Sequence, residues 1–295
     1  MLWFYLALLA SLLTGFAILI QKTVLKHEHA VQNALVLSLG QALISLFLIP
    51  FLDFATFDFS SFALALGAGL SISVAFIYTA KAFRNLEVSL ASPLFALGTV
   101  FLIVLSVIIF GERLLIGEVV GIGVILAGAY FVDFTGKNIL EPILALRNKF
   151  IRYDLISVLG FTLGYLFVKP ILDKGADPVT LLVIQNFVIA AGVFIYSASK
   201  YAVTKDIFVA LKTDGIAHLF MSIFNVAQAL LVFYALSLKD LSLVIPVYRT
   251  WILLAVLLGG RLFHEHNMRY RIAGAVLVVV GAAIVFNPGL IGAGP

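Results

Sequence analysis

Apolar runs separated by short polar stretches make up nearly all of this chain. Ten runs are long enough to be spans, at about 2–20, 32–52, 62–80, 88–110, 114–132, 155–172, 178–198, 216–238, 241–263 and 270–287. A helix needs about 20 apolar residues to cross a bilayer. Backbone groups in lipid must bond within their own segment, so each run is predicted to be a helix. The longest polar interval, about 133–154, carries Lys137, Arg147, Lys149 and Arg152 and separates five spans from five. Its stretch 139–152 is either a helix lying on the membrane surface or a solvated basic linker.

The runs repeat. Residues 89–130 align without a gap on 242–283, at a constant shift of 153. Ser89 meets Ser242, Pro93 meets Pro246, Glu112 meets Glu265, Gly121 meets Gly274 and Gly128 meets Gly281. Earlier in each copy, Lys26 pairs with Lys174 and Val31 with Val179 at a shift of 148. Five spans is an odd number, so the second copy enters the membrane from the opposite side. The expected fold is therefore an all-α integral membrane protein, ten transmembrane helices in a five-plus-five inverted repeat. Its expected divisions are residues 1–135, a cytoplasmic linker 136–153, and residues 154–290. Doubled membrane units of this kind are the usual build of transporters.

Composition agrees with the pattern. The chain is 63% hydrophobic and 12% charged, against about half and a quarter in soluble domains. There is no cysteine, which excludes disulfides and thiolate metal sites. The N-terminus lacks a basic n-region and a small-residue cleavage pattern, so it reads as a retained span. Loops after the odd-numbered spans hold fourteen of the nineteen lysines and arginines; the other side holds Arg113, Lys169, Lys174 and Lys239. The positive-inside rule then puts the fourteen-residue side in the cytoplasm, of a plasma (inner) membrane, with both termini outside.

Ten spans in two inverted fives, with Ser89–Pro93, Gly111, Glu112, Gly121 and Gly128 echoed by Ser242–Pro246, Glu265, Gly274 and Gly281, resemble the drug/metabolite transporter superfamily and its EamA-type family. His264 stands where the first copy has Gly111. The resemblance implies a secondary carrier of small metabolites, with a central cavity between the repeats that opens alternately to each side.

Arg249 is the candidate that stands out. It lies eight residues into the ninth span, roughly 12 Å deep at helical rise, where a cation costs a few kcal/mol. No Asp or Glu lies deep in any span, Glu118 being the nearest, so no internal counter-ion is evident. A substrate carboxylate or phosphate would supply the charge through two parallel bonds. Three other roles remain open: bonding span-end carbonyls, reaching Asp240 or Glu87 by snorkelling, or biasing a gating state. Pro93 and Pro246 each free a carbonyl four residues earlier and are candidate helix breaks or gates, or simple kinks. Ser222, Asn225 and Gln228 share one face of span eight; Gln185 and Asn186 lie in span seven, Ser38 and Gln41 in span two, and Tyr78 in span three. Such amides are either glue between helices or the polar wall of a cavity. Tyr248, beside Arg249, completes the candidate substrate-binding set of Arg249, Tyr248, Asn225, Gln228, Gln185, Gln41 and Tyr78.

The remaining features read as structural. Glu112 and Glu265 suit a shared task such as capping the following helix. His218, His264 and His266 read as solvated or interfacial, and His264-x-His266 is too short for a zinc site. No metal or other cofactor is expected. The glycines of spans five and ten read as close helix packing, or as a homodimer face. No phosphate-cradling G-x-x-x-x-G-K-[ST] run is present, and nothing points to nucleic acid. An intramembrane enzyme would need deep acid, histidine or cysteine clusters, so no catalytic residues are expected. The sequence thus reads as a secondary transporter of an anionic or zwitterionic metabolite, its partners being that small molecule and the lipid bilayer. Facilitated diffusion or exchange is expected rather than proton coupling. Export of amines or drugs, or lipid flipping, are the alternatives.

Overall fold

The computed structural model describes residues 1–133, 148–200, 203–262 and 268–287. Most of the stretch 139–152, together with Lys137, Arg147, His264, Glu265 and His266, lies outside the described residues. Within them every element is helical: α1 (Leu2–Val24), α2 (Ala30–Ser45) with a 3₁₀ extension Leu46–Phe51, α3 (Phe59–Asn85), α4 (Val88–Phe110), α5 (Ile116–Asp133), α6 (Lys149–Asp173), α7 (Pro178–Ala198), α8 (Val203–Leu238), α9 (Leu241–Tyr248), α10 (Trp251–Leu262) and α11 (Met268–Phe286). Among the described residues seven stretches are long and apolar enough to cross a membrane, α9 and α10 counting together as one. Three shorter apolar helices, Gly98–Phe110, Ile116–Gly128 and Ile272–Phe286, occupy the other places where spans were read.

Helix starts follow capping chemistry. Asp58 accepts from the Ser61 amide at 2.7 Å, Asp177 from the Thr180 amide at 2.8 Å and Asn148 from the Phe150 amide at 2.9 Å. Each satisfies an amide that has no partner inside its helix. Asp58 also meets the Lys174 ammonium at 3.0 Å, tying α3 to the end of α6. The Ser61 hydroxyl and amide, then Lys174 and the Ser60 hydroxyl, hold the Asp58 carboxyl well below the usual carboxylate range. A lowered value means the cap is complete above about pH 4 and is lost only in stronger acid. Gly111 ends α4 with φ 67°, a left-handed cap that glycine adopts without strain.

The two halves interlock. α1 packs on α8, and α6 packs on α3; α2 lies against α7 and α8; α5 packs on α11. The α5–α11 contact is backbone to backbone: a Cβ on Gly128 would lie 2.6 Å from the Gly274 carbonyl oxygen, and one on Gly281 2.6 Å from the Ile125 amide nitrogen. Gly121, Gly128 and Gly281 are therefore used in close packing within the chain.

One hydrogen-bond arrangement occurs twice. Lys22 on α1 donates to the carbonyls of Phe83 and Leu86, both at 2.6 Å. Lys169 on α6 donates to those of Leu236 at 3.0 Å and Lys239 at 3.2 Å. The acceptors are offset by 153 residues in each case (236 − 83 and 239 − 86), the shift of the sequence repeat. An ammonium at a helix C-terminus satisfies orphan carbonyls and complements the dipole. Lys169→Met is expected to lower stability by about 2 kcal/mol, the worth of a bond to a charged group, read as a drop in melting midpoint.

Glu112 corrects an expectation. It does not cap the helix that follows it: its two carboxylate oxygens accept from the Leu241 and Ser242 amides, each at 3.0 Å. It thus caps α9, in the other half of the chain. The start of α5 is served by Glu118, which accepts from the Leu115 amide at 2.7 Å. Three residues separate that donor from its acceptor, and sequence alone could not place α9 beside Glu112.

Candidate functional site

The ninth span is broken rather than continuous. α9 ends at Tyr248 and α10 begins at Trp251. Across the junction the bonds tighten to three-residue spacing: the Thr250 amide donates to Val247, Ile252 to Arg249 and Leu253 to Thr250. Pro246 has no amide hydrogen, so the ladder is already incomplete one turn earlier. The break puts Arg249 between two short helices. Thr250 Oγ1 shares a 2.8 Å bond with Ser11 Oγ of α1, which anchors the junction. By contrast α4 runs unbroken across position 93; the Pro93 side chain lies outside what is described.

Arg249 is 3% exposed. Its guanidinium carbon lies 5.0 Å from the Phe95 ring centre and 5.8 Å from that of Tyr248. Its Nε and Nη2 have no hydrogen-bond partner among the described residues, and it forms no ion pair within 4.0 Å. Neither snorkelling to Asp240 or Glu87 nor bonding to span-end carbonyls is what the structure shows. Burial of an unpaired cation is costly, and the group faces open space instead. A cavity is lined by Arg249, Tyr248 and Trp251 together with Thr14 and Gln21 of α1, Phe76, Thr79 and Phe83 of α3, Phe95 of α4, Phe161 and Tyr165 of α6, and Asn225 and Gln228 of α8. Small-molecule sites are mostly apolar with a few placed polar groups, and this lining has that character. Thr14 Oγ1 donates to the Tyr248 hydroxyl at 3.1 Å, fixing the ring beside the guanidinium.

A second cavity, of about 460 Å³, shares Phe76, Phe161, Tyr165, Asn225 and Gln228 with the first and adds Gln41, Gln185 and Asn186. Six of the seven proposed binding residues therefore line one or both cavities. Gln228 Oε1, Gln185 Oε1 and Gln41 Nε2 are buried without hydrogen-bond partners among the described residues. Asn186 is spent: it donates to Ser45 at 2.8 Å. Asn225 donates to the Met221 carbonyl at 2.7 Å and still lines both cavities. Tyr78 stands apart. It packs edge-on against Tyr153, ring centres 5.3 Å apart, beneath the Lys81 ammonium at 4.7 Å, and lines neither cavity.

Two acids and a histidine are placed differently from expectation. α6 starts at Lys149, six residues before the span read from the sequence, and carries Asp154 inward. Asp154 is fully buried, with neither carboxylate oxygen bonded. Asp154 shares a helix face with Phe161 and Tyr165, at i+7 and i+11, and both of those line the Arg249 cavity. A buried acid is therefore present, and the ground for excluding proton coupling falls. The cap at Asn148 was the available signal for the earlier helix start. His218 is not solvated: it is 2% exposed, and its Nε2 lies 2.9 Å from the equally buried Glu28 carboxylate. Glu28 sits in the α1–α2 loop, and only the fold brings it to α8.

A helical membrane protein with an unpaired arginine over a cavity shared by its two halves has the build of a small-molecule carrier. The sequence model of the EamA-like transporter family matches residues 1–133 and 150–287, one stretch for each half, and the chain belongs to that family, within the drug/metabolite transporter superfamily. Members of the family are transporters, not enzymes. No curated protein matches the sequence significantly. A solved structure titled only "Crystal structure of protein" has a similar fold, with TM-score 0.60 at 15% identity over 93% of this chain and 96% of that one.

Proposed function

We propose that the protein is a secondary carrier of a small anionic or zwitterionic metabolite, with Arg249 as the charge partner of its substrate. The observation that carries this is the buried guanidinium, with two nitrogens unbonded, over a cavity that no contacting carboxylate neutralises. A carboxylate would take the guanidinium fork, and the free oxygens of Gln228 and Gln185 would accept from an ammonium group. The aromatic wall gives an organic body something to pack on.

The carrier works by alternating access between two inverted five-helix repeats, ten spans in all, with both termini outside the plasma (inner) membrane. Support comes from the paired lysine clamps and from the two cavities. The first reaches Gln21 and Phe83, near the lysine-rich ends of α1 and α3; the second reaches Gln41, late in α2, and Gln185, in the first half of α7. Phe76, Phe161, Tyr165, Asn225 and Gln228 line both cavities, and an alternating site would be gated there.

The test is thermal stabilisation of the purified carrier by a panel of amino acids, organic acids, sugar phosphates, amines and lipids. A ligand that binds only the folded state raises the melting midpoint by mass action. Stabilisation by acids or amino acids is expected. Stabilisation confined to amines would favour drug export, and to lipids, flipping.

A further inference from the structure

At the lysine-rich end of the helices lies a second polar cluster, separate from the cavity. Lys81, late in α3, donates to the Tyr196 hydroxyl of α7 at 2.9 Å. Its ammonium lies 4.7, 5.8 and 5.1 Å from the ring centres of Tyr78, Tyr153 and Tyr196. Lys200, two residues past the end of α7, holds its own ammonium 4.8 Å from the Tyr196 ring centre. Two cations thus converge on one tyrosine, and neither has a carboxylate partner among the described residues. Ring faces attract cations, but they carry no net charge. The α7 C-terminus offers about half a negative charge, against two positive ones. The cluster asks for an anion.

What kind of anion follows from the neighbouring surface. An apolar groove of about 720 Å³ runs between α2 and α7, lined by residues such as Leu39, Leu43, Phe187, Phe194 and Ile195. Ile195, the residue before Tyr196 on α7, is part of its lining. From Phe187 to Ile195 the helix rises roughly 12 Å, enough to hold much of an acyl chain. A free phosphate would use the lysines and leave the groove idle. A lipid with an uncharged headgroup would do the reverse.

We infer that Lys81, Lys200 and Tyr196 bind the headgroup of an anionic phospholipid whose acyl chain lies in the α2–α7 groove. Lysines at a membrane surface attract such lipids, and tyrosines are suited to the headgroup level. The site is independent of Arg249 and of what the carrier moves.

The experiment uses the full-length protein, delipidated in neutral detergent. Phosphatidylglycerol, phosphatidylcholine of the same acyl chains, and glycerol phosphate are each titrated while the melting midpoint is followed. Phosphatidylglycerol alone is expected to raise it. Lys81→Gln with Lys200→Gln should weaken that response roughly thirtyfold in concentration, and Lys200→Gln alone about fivefold. The exposed single variant carries the test if the double one does not fold. Arg249→Gln should leave the lipid response intact. Equal effects of the two lipids, a response that survives both lysine variants, or its reproduction by glycerol phosphate would each overturn the inference.

Discussion

Arg249→Gln is expected to abolish stabilisation by carboxylate ligands while leaving the chain folded. Each bond between a ligand anion and a charged donor is worth about 1.5–3 kcal/mol. Losing two of them weakens binding by about a hundredfold or more. The cost to folding should be small for a specific reason: Nε and Nη2 bond to nothing among the described residues, so the substitution gives up only the ring contacts with Phe95 and Tyr248 and relieves a buried charge that forms no ion pair. The ligand-free melting midpoint should hold or rise. Arg249→Lys keeps the charge but loses the planar fork, and it should fall between the two. Melting with and without ligand reads both quantities. Loss of folded protein in Arg249→Gln would mean that the arginine is structural, through its packing against Phe95 and Tyr248. Unchanged ligand response would move the anion site elsewhere.

Gly128→Leu should be among the most destabilising single changes in the chain. Its Cβ would land 2.6 Å from the Gly274 carbonyl oxygen and 2.7 Å from the Val278 amide nitrogen. Both atoms are backbone, so no rotamer change relieves the clash. Overpacking in ordinary cores costs about 1–3 kcal/mol; here α5 and α11 must move apart, and about 3 kcal/mol or more is expected. Gly123 supplies the control on the same helix, since a Cβ there meets nothing within 4 Å. Gly123→Leu should melt like the wild type, whereas Gly128→Leu should lose its monodisperse peak in detergent chromatography. Equal behaviour of the two would show that α5 and α11 do not pack through glycine.

The difference between these two glycines marks the limit of sequence reading. Both fall in an apolar run, and the repeat singled out Gly121 and Gly128 because each has a mate. It could not say whether the mates touch each other or a second copy of the chain. Arg249 was legible for a related reason. A charge in the middle of a span is energetically conspicuous whatever surrounds it, and Asn225 with Gln228 declared a common face by spacing alone. Asp154 was missed because helix boundaries depend on a cap. Asn148 adds six residues to α6 and moves an apparently peripheral acid into the interior. Tyr78 was included on residue type, and packing sends it to the lysine-rich surface instead.

Periodic hydrophobicity, the 153-residue echo and the isolated arginine are properties of local sequence, because the bilayer rewards length, apolarity and internal bonding independently of tertiary partners. They were enough to give a helical membrane protein in two copies with one anomalous cation. The remainder is non-local. The break at Arg249, the capping of α9 by Glu112 from the other half, the burial of Glu28 against His218, and the set of residues shared by two cavities all join groups far apart in the chain. Only the packed structure brings such groups within bonding distance, so only the structure could decide them.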